Sequence, residues 1–362
     1  MRAGVFRGKG RIEVEDVPDP VAGPDDVVLD LYGCGVCGSD IGQFRSGTAR
    51  AGQVMGHEFA GTVVEVGSRV QGIVEGDRLT GLPIQPCGDC RRCRAGLAHL
   101  CERWTTRSIA FGLPGGFAER LHIPAARLGH NVHRLPDLPG GAGAALEAGT
   151  LVEPLSVAVH AVRLADAGPG RSAVVTGLGT IGLQAAQTLR AKGCTPVIGV
   201  DPSPLRRSVA EGLGIVTVDP TVGEALAGTL SALTGEAEAD IVVEASGVGA
   251  LVAGAIEIVR PRGTVVLVAL YHSPRRSSRC GPCSARSCCA AAPTSPRGLP
   301  RLAGARRVRG RGDRAADQPP DAAGAGAGGL RGPARRPGLG QGARHDELTR
   351  RARQRSRDHP DR

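Results

Sequence analysis

The sequence predicts an α/β protein: a β-rich first half, then a doubly wound parallel sheet, then a tail of biased composition. Three observations carry this expectation. Short β-branched runs broken by Gly and Pro fill residues 1–150. Apolar strand-like runs alternate with helical stretches over 151–271. From His272 to Arg362 there is no Phe, Trp, Tyr, Ile, Lys or Met, and the only valine is Val308. A chain of 362 residues has material for two cores, so the expected division is 1–150, 151–271 and a tail, 272–362.

In the first part, Val27-Val28-Leu29-Asp30-Leu31 follows the turn signal Gly23-Pro24-Asp25. Thr62-Val63-Val64-Glu65-Val66 runs into Gly67-Ser68, and Arg78-Leu79-Thr80 follows Gly76-Asp77. Such spacing suits a small barrel-like domain. In the second part the strand runs are Ala173–Thr176, Val197–Val200, Ile215–Val218, Ile241–Glu244 and Val265–Val268. Between them lie the helical stretches Gly182–Lys192 and Ser208–Glu211. That alternation indicates βαβ units in a parallel sheet. The tail, rich in Arg, Gly, Pro and Ala, has too little apolar surface to offset chain entropy, so disorder is expected there.

The formal net charge is +10, which alone would suggest a nucleic-acid partner. Its distribution argues otherwise. Residues 1–271 carry 24 Lys+Arg against 28 Asp+Glu, whereas 272–362 carry 21 Arg against 7 acids. An Arg-rich tail gives sequence-independent affinity through counterion release, but it lacks aromatics for base stacking. The first residues form no apolar signal core, and no run approaches a membrane span. A cytoplasmic, reducing setting is therefore expected, where eleven cysteines favour thiols or metal ligation over disulfides.

Cys87, Cys90, Cys93 and Cys101 are spaced C-x2-C-x2-C-x7-C. Four thiolates in one loop close a tetrahedral structural zinc site with no open position. Cys37, His57, Glu58 and Glu153 offer thiolate, imidazole and carboxylate, a mixed set suited to catalytic zinc that must leave room for substrate. Taken singly, each of these is compatible with a packed core side chain. Zinc in such a set would stabilise an alkoxide and so favour hydride loss from its carbon. Ser39 is placed to bond the substrate oxygen and pass its proton outward, or simply to stabilise a turn. Cys34 reads as a small buried apolar residue and His160 as a helix-packing one.

Gly177-Leu178-Gly179-Thr180-Ile181-Gly182 matches G-x-G-x-x-G between a strand and a helix, and Asp201 ends the next strand. The glycines admit pyrophosphate close to the backbone and the helix start favours its charge. The Asp201 carboxylate suits an adenosine ribose and repels a 2′-phosphate, favouring NAD over NADP. Arg206 lies beside the adenosine or in solvent.

The chain from about Val27 to Leu270 resembles the zinc-dependent medium-chain alcohol dehydrogenases, in the branch of sorbitol, butanediol and threonine dehydrogenases. The matching stretches are Cys34–Asp40, Gly56-His57-Glu58, the Cys87–Cys101 loop, Gly115–Glu119, Val152–His160 and Gly177–Gly182. The resemblance implies a GroES-like catalytic domain joined to a Rossmann domain, with the active site in the cleft between them. It implies catalytic zinc on Cys37 and His57, with Glu58 or Glu153 as third ligand, and Ser39 in the proton relay. It also implies NAD-linked oxidation of a secondary alcohol or polyol by a homodimer or homotetramer. Two zinc sets argue against the zinc-free quinone reductases, and a catalytically impaired zinc-binding remnant is the alternative. Many relatives place a relay His five residues after the cysteine ligand, where this chain has Gly42. The family continues past the fifth Rossmann strand in a way that nothing after Tyr271 matches. The tail instead has the composition of a GC-rich coding region read out of frame, and its Cys280, Cys283, Cys288 and Cys289 mimic a metal motif by accident.

Overall fold

Ala3, Val5 and Phe6 are buried on Arg2–Gly8 (β1), which turns back through Lys9-Gly10 into Arg11–Asp16 (β2) as an antiparallel pair. The structure, a computed structural model, describes residues 1–222 and 225–271 and the backbone of 288–289 and 308–309. The next strand, Val27–Gly35 (β3), starts with three buried residues and ends in the glycine-rich stretch before Gly38–Ser46 (α1). Glu58–Val66 (β4) and Arg78–Gly81 (β5) follow. The short helices Arg91–Arg94 (α2) and Trp104–Arg107 (α3) then precede Arg120–Ile123 (β6), Val132–Arg134 (β7) and the helix Gly141–Gly149 (α4). Five of these strands form one antiparallel sheet in the order β6-β3-β4-β5-β7. Val27, Leu29, Phe59, Val63, Leu79 and Leu121 pack together as its core. Removing such side chains from water contributes about 1.5–3 kcal/mol each.

Val152–Leu164 (α5) leads into the second sheet. Ala173–Thr176 (β8), Thr180–Ala191 (α6), Val197–Val200 (β9), Pro204–Gly212 (α7) and Val216–Val218 (β10) alternate strand with helix. Ala225–Thr234 (α8), Ala239–Glu244 (β11), Leu251–Glu257 (α9) and Val259–Leu267 (β12) complete the alternation. Every residue of β8 and β9 is buried, as expected of strands covered on both faces. The order is β10-β9-β8-β11-β12, all parallel. The chain therefore reverses its direction of progress between β8 and β11, the place where such sheets bind dinucleotides. One face buries Ala158, Val162, Ala185 and Leu189 of α5 and α6, and the other buries Leu230 and Ala255 of α8 and α9.

The sequence expectation ended this sheet at a fifth strand. Two further two-residue strands, Cys288–Cys289 (β13, parallel) and Val308–Arg309 (β14, antiparallel), pair with β12. An edge strand carries unpaired backbone groups that accept such partners. Apart from these pairs, the expectation for 272–362 lies outside the described residues. Among the described residues no single helix is long and apolar enough to cross a membrane.

Candidate functional site

Cys37 sits at the N-terminus of α1, where its N–H donates to the Asp40 carboxylate at 3.0 Å. His57 and Glu58 enter β4 from Gly56, whose φ of +87° is a conformation glycine adopts without penalty. The stretch Gly115–Phe117 backs this turn: Gly116 N–H donates to Gly56 O at 2.7 Å and Phe117 N–H to Met55 O at 2.8 Å. A side chain on Gly35 would run into the Glu58 carboxylate. These constraints bring ligand atoms of Cys37, His57 and Glu58 within 4.8 Å of one another.

Burial governs the electrostatics here. It pushes the Cys37 thiol up to about 12, with the Glu58 and Asp40 charges adding to the effect. It raises Glu153 to about 8, again with Glu58 and Asp40 contributing. Desolvation also raises Glu58 and Asp40 and lowers His57. Thiol, imidazole and three carboxyls crowded in low dielectric are each costly to ionise alone. A divalent cation reverses that logic by favouring thiolate and carboxylate together.

The donor set of sulfur, nitrogen and oxygen fits zinc. Buried polar atoms at the site agree: His57 Nδ1, Asp40 Oδ1 and Ser39 Oγ have no hydrogen-bond partner. His57 Nδ1 lies 3.7 Å from Asp40 Oδ1, close enough for the two to interact electrostatically but beyond a hydrogen bond. Sequence reasoning missed Asp40. Its signal was an acid three residues after a helix-capping position.

Cys87, Cys90, Cys93 and Cys101 form the other donor group among the described residues. Backbone amides point at sulfur: Cys90 N–H to Cys87 Sγ at 3.4 Å, Cys93 N–H to Cys90 Sγ at 3.4 Å and Cys87 N–H to Cys101 Sγ at 3.5 Å. Amides of Glu102 and Cys93 bring the Cys90 thiol down to about 6. Four sulfurs with amide donors already aimed at them suit a closed structural zinc site.

An aromatic group stands beside the first cluster. The Phe111 ring lies 5.6 Å from that of His57, and Trp104 meets Phe111 edge-on at 6.1 Å. Ala110, just before Phe111, holds φ at +69°. Such strain persists only where surroundings fix it, and it gathers at functional sites. Ser108 O fixes this turn by accepting from Phe111, Gly112 and Leu113.

Gly177 turns with φ +87°, and a Cβ there would stand 2.6 Å from Ser246 Cα. A Cβ on Gly182 would strike Gly177 O, whereas one on Gly179 meets nothing within 4 Å. The open space at Gly179, at the N-terminus of α6 (Thr180 and Ile181 its first residues), fits a pyrophosphate. Asp201 is buried and accepts the Leu178 and Ser203 N–H groups at 2.8 Å each, so it also braces the glycine turn. Arg206 reaches Asp201 at 3.4 Å from a mostly exposed position.

The structure therefore gathers Cys37, His57 and Glu58 with Ser39 beside them, and leaves Glu153, the second residue of α5, outside the 4.8 Å group. Cys34 is half-buried rather than buried, and its Sγ faces the backbone of Gly56 and Gly116. His160 lies on α5 with its ring 6.3 Å from that of His99. Gly42 lies within α1.

Comparison with known proteins agrees with this architecture. The description "alcohol dehydrogenase GroES-like domain" matches residues 23–137, and "zinc-binding dehydrogenase" matches residues 180–287. The 2-dehydro-3-deoxy-L-galactonate 5-dehydrogenase of Pseudoalteromonas atlantica is 34% identical over 257 residues, 70% of this chain and 71% of that protein. The L-threonine 3-dehydrogenase of Pyrococcus abyssi is 34% identical over 276 residues, 75% of each. The crystal structure of 2R,3R-butanediol dehydrogenase from Bacillus subtilis superposes with a TM-score of 0.66 at 30% identity, covering 76% of this chain and 79% of that one. Nucleic-acid binding finds no support among these relatives.

Proposed function

Because the chain belongs to the zinc-dependent medium-chain alcohol dehydrogenase family, we propose that it oxidises a secondary alcohol or polyol with NAD+ at the Cys37–His57–Glu58 cluster. The observation that carries this reading is the meeting of three chemically different donors, a half-buried thiol with a buried imidazole and a buried carboxyl, within 4.8 Å. Bound zinc supplies Lewis acidity toward an alcohol oxygen, and bound NAD supplies the hydride acceptor.

The residues have distinct tasks in this reading. Cys37, His57 and Glu58 hold zinc, with Glu153 as the neighbouring carboxylate beyond them. Asp40 fixes the ring of His57. Ser39 Oγ takes the alcohol proton and hands it to water, since Gly42 offers no imidazole to continue the path. Phe111 and Trp104 wall the substrate side and exclude water from it. Gly177, Gly179 and Gly182 admit the pyrophosphate, and Asp201 with Arg206 borders the adenosine ribose. Cys87, Cys90, Cys93 and Cys101 hold the second, structural zinc. The catalytic unit spans 1–150 and the dinucleotide-binding unit 151–271. Assembly as a homodimer or homotetramer and a cytoplasmic setting belong to the same family reading.

The test is NADH formation by the zinc-loaded chain over a panel of vicinal diols, sugar alcohols and L-threonine. Turnover of one class, abolished by Cys37→Ala, supports the reading. A chain that binds zinc and NADH yet turns over none of them is the impaired remnant instead.

A further inference from the structure

Glu244 ends β11 with no exposed surface. A buried carboxylate is costly, and burial pushes this one up from the ordinary carboxylate range. An apolar residue would serve the core better, so its hydrogen bonds carry its meaning. Oε1 accepts the Ser246 N–H at 2.9 Å and also the Ser246 hydroxyl. Oε2 accepts the Tyr271 hydroxyl. Ser246 Oγ in turn accepts the Val248 N–H at 3.0 Å. One side chain thus ties the loop after β11 to the chain emerging from β12.

That loop borders the glycine turn. Glu244 pairs with Thr176, the residue before Gly177, and Ala245 N–H donates to Thr176 O at 2.8 Å. Ser246 stands against Gly177 so closely that a side chain there has no room. Asp201 follows β9, on one side of β8, while Glu244 ends β11 on the other. A dinucleotide laid across this reversal, with its adenosine half toward Asp201, must extend its other half over Ala245–Val248.

We propose that Glu244 is a positioning residue that sets the Ala245–Val248 loop against the nicotinamide half of the cofactor. It rests on the NAD reading above and adds to it a division of labour: Asp201 borders one half and Glu244, through Ser246, shapes the seat of the other.

The test compares NADH with ADP-ribose, which lacks only the nicotinamide, by calorimetry on the full zinc-loaded chain. Glu244→Ala is expected to weaken NADH about tenfold while ADP-ribose shifts less than about twofold. Glu244→Gln keeps an amide oxygen for Ser246 and should hold NADH within about threefold of the parent. Tyr271→Phe removes one donor without emptying the core, so it remains informative if Glu244→Ala does not fold. It should weaken NADH by about threefold and spare ADP-ribose. Equal loss of both ligands in Glu244→Ala and Tyr271→Phe, or no loss of either, overturns the proposal while the NAD reading stands. A parent chain that binds neither ligand removes both.

Discussion

Asp40 shows how a single side chain escapes a reading based on ligand types. Cys37, His57 and Glu58 were legible because zinc chooses sulfur, imidazole and carboxylate. Asp40 is not one of the three clustered donors, and only the fold reveals its carboxylate 3.7 Å from His57 Nδ1. Asp40→Asn is therefore expected to weaken zinc at that cluster about 10–100-fold while leaving the four-cysteine site filled. Chelator competition with metal analysis measures both. An unchanged affinity would mean that the ring needs no brace. Asp201 was legible in position but only half so in task, because its hydrogen bonds to Leu178 and Ser203 depend on where the turn folds back. Asp201→Gly should shrink the kcat/KM preference for NAD+ over NADP+ by at least about tenfold. It should also weaken both cofactors, since the glycine turn loses its brace.

Among the elements, strands covered on both faces were the plainest to read. β8, β9 and β11 stood out as apolar runs because both their faces are covered. The hairpin of β1 and β2 did not, since β2 turns Val14 and Ile12 outward among charged neighbours. β3 and β4 run longer than the sequence suggested because Gly33, Cys34 and Gly35 still pair with Ala60, Phe59 and Glu58. Glycine carries little strand signal, so that extension was hidden, although it aligns Cys37 with His57. The Cys87–Cys101 loop was legible from spacing alone. It has only the four-residue α2 and the turn Ala98–Leu100 as regular structure, so its order should depend on metal. Cys90→Ser is expected to lower bound zinc from two to one per chain, and brief proteolysis should then cut within residues 87–107. A loop that stays resistant would show that packing alone holds it.

For the molecule as a whole, one half-buried acid links the strands of the parallel sheet. Asp240 accepts the Ser172 N–H and hydroxyl at 2.9 Å each and pairs with Arg260, joining the starts of β8, β11 and β12. Burial pushes its carboxyl up, but the Ser172 hydrogen bonds and the Arg260 charge outweigh that and hold it below the ordinary range. A carboxyl lowered on folding stabilises above its unfolded pKa, about 3.9, and that contribution fades as pH falls through the folded value. Asp240→Asn should thus cost about 2 kcal/mol near pH 7, with the gap closing below about pH 4. Denaturant titrations across that range would show it, and a gap independent of pH would assign the cost to shape rather than charge. At this scale the parallel character of the sheet was legible from alternation of strand and helix, but its strand order was not. The two added pairings on β12 were not, since no apolar pattern marks Cys288–Cys289 or Val308–Arg309.

The edge-on contact of Trp104 with Phe111, one ring removed from His57, has an optical consequence. Trp104 is the chain's only tryptophan, so all indole emission originates one ring away from His57 and the donors clustered with it. Quenching or a colour shift on adding a candidate alcohol then reports what happens at that wall, free of signal from elsewhere. The molecule carries its own dye one ring from His57, and ligands that settle there can be ranked by light before any reaction is run.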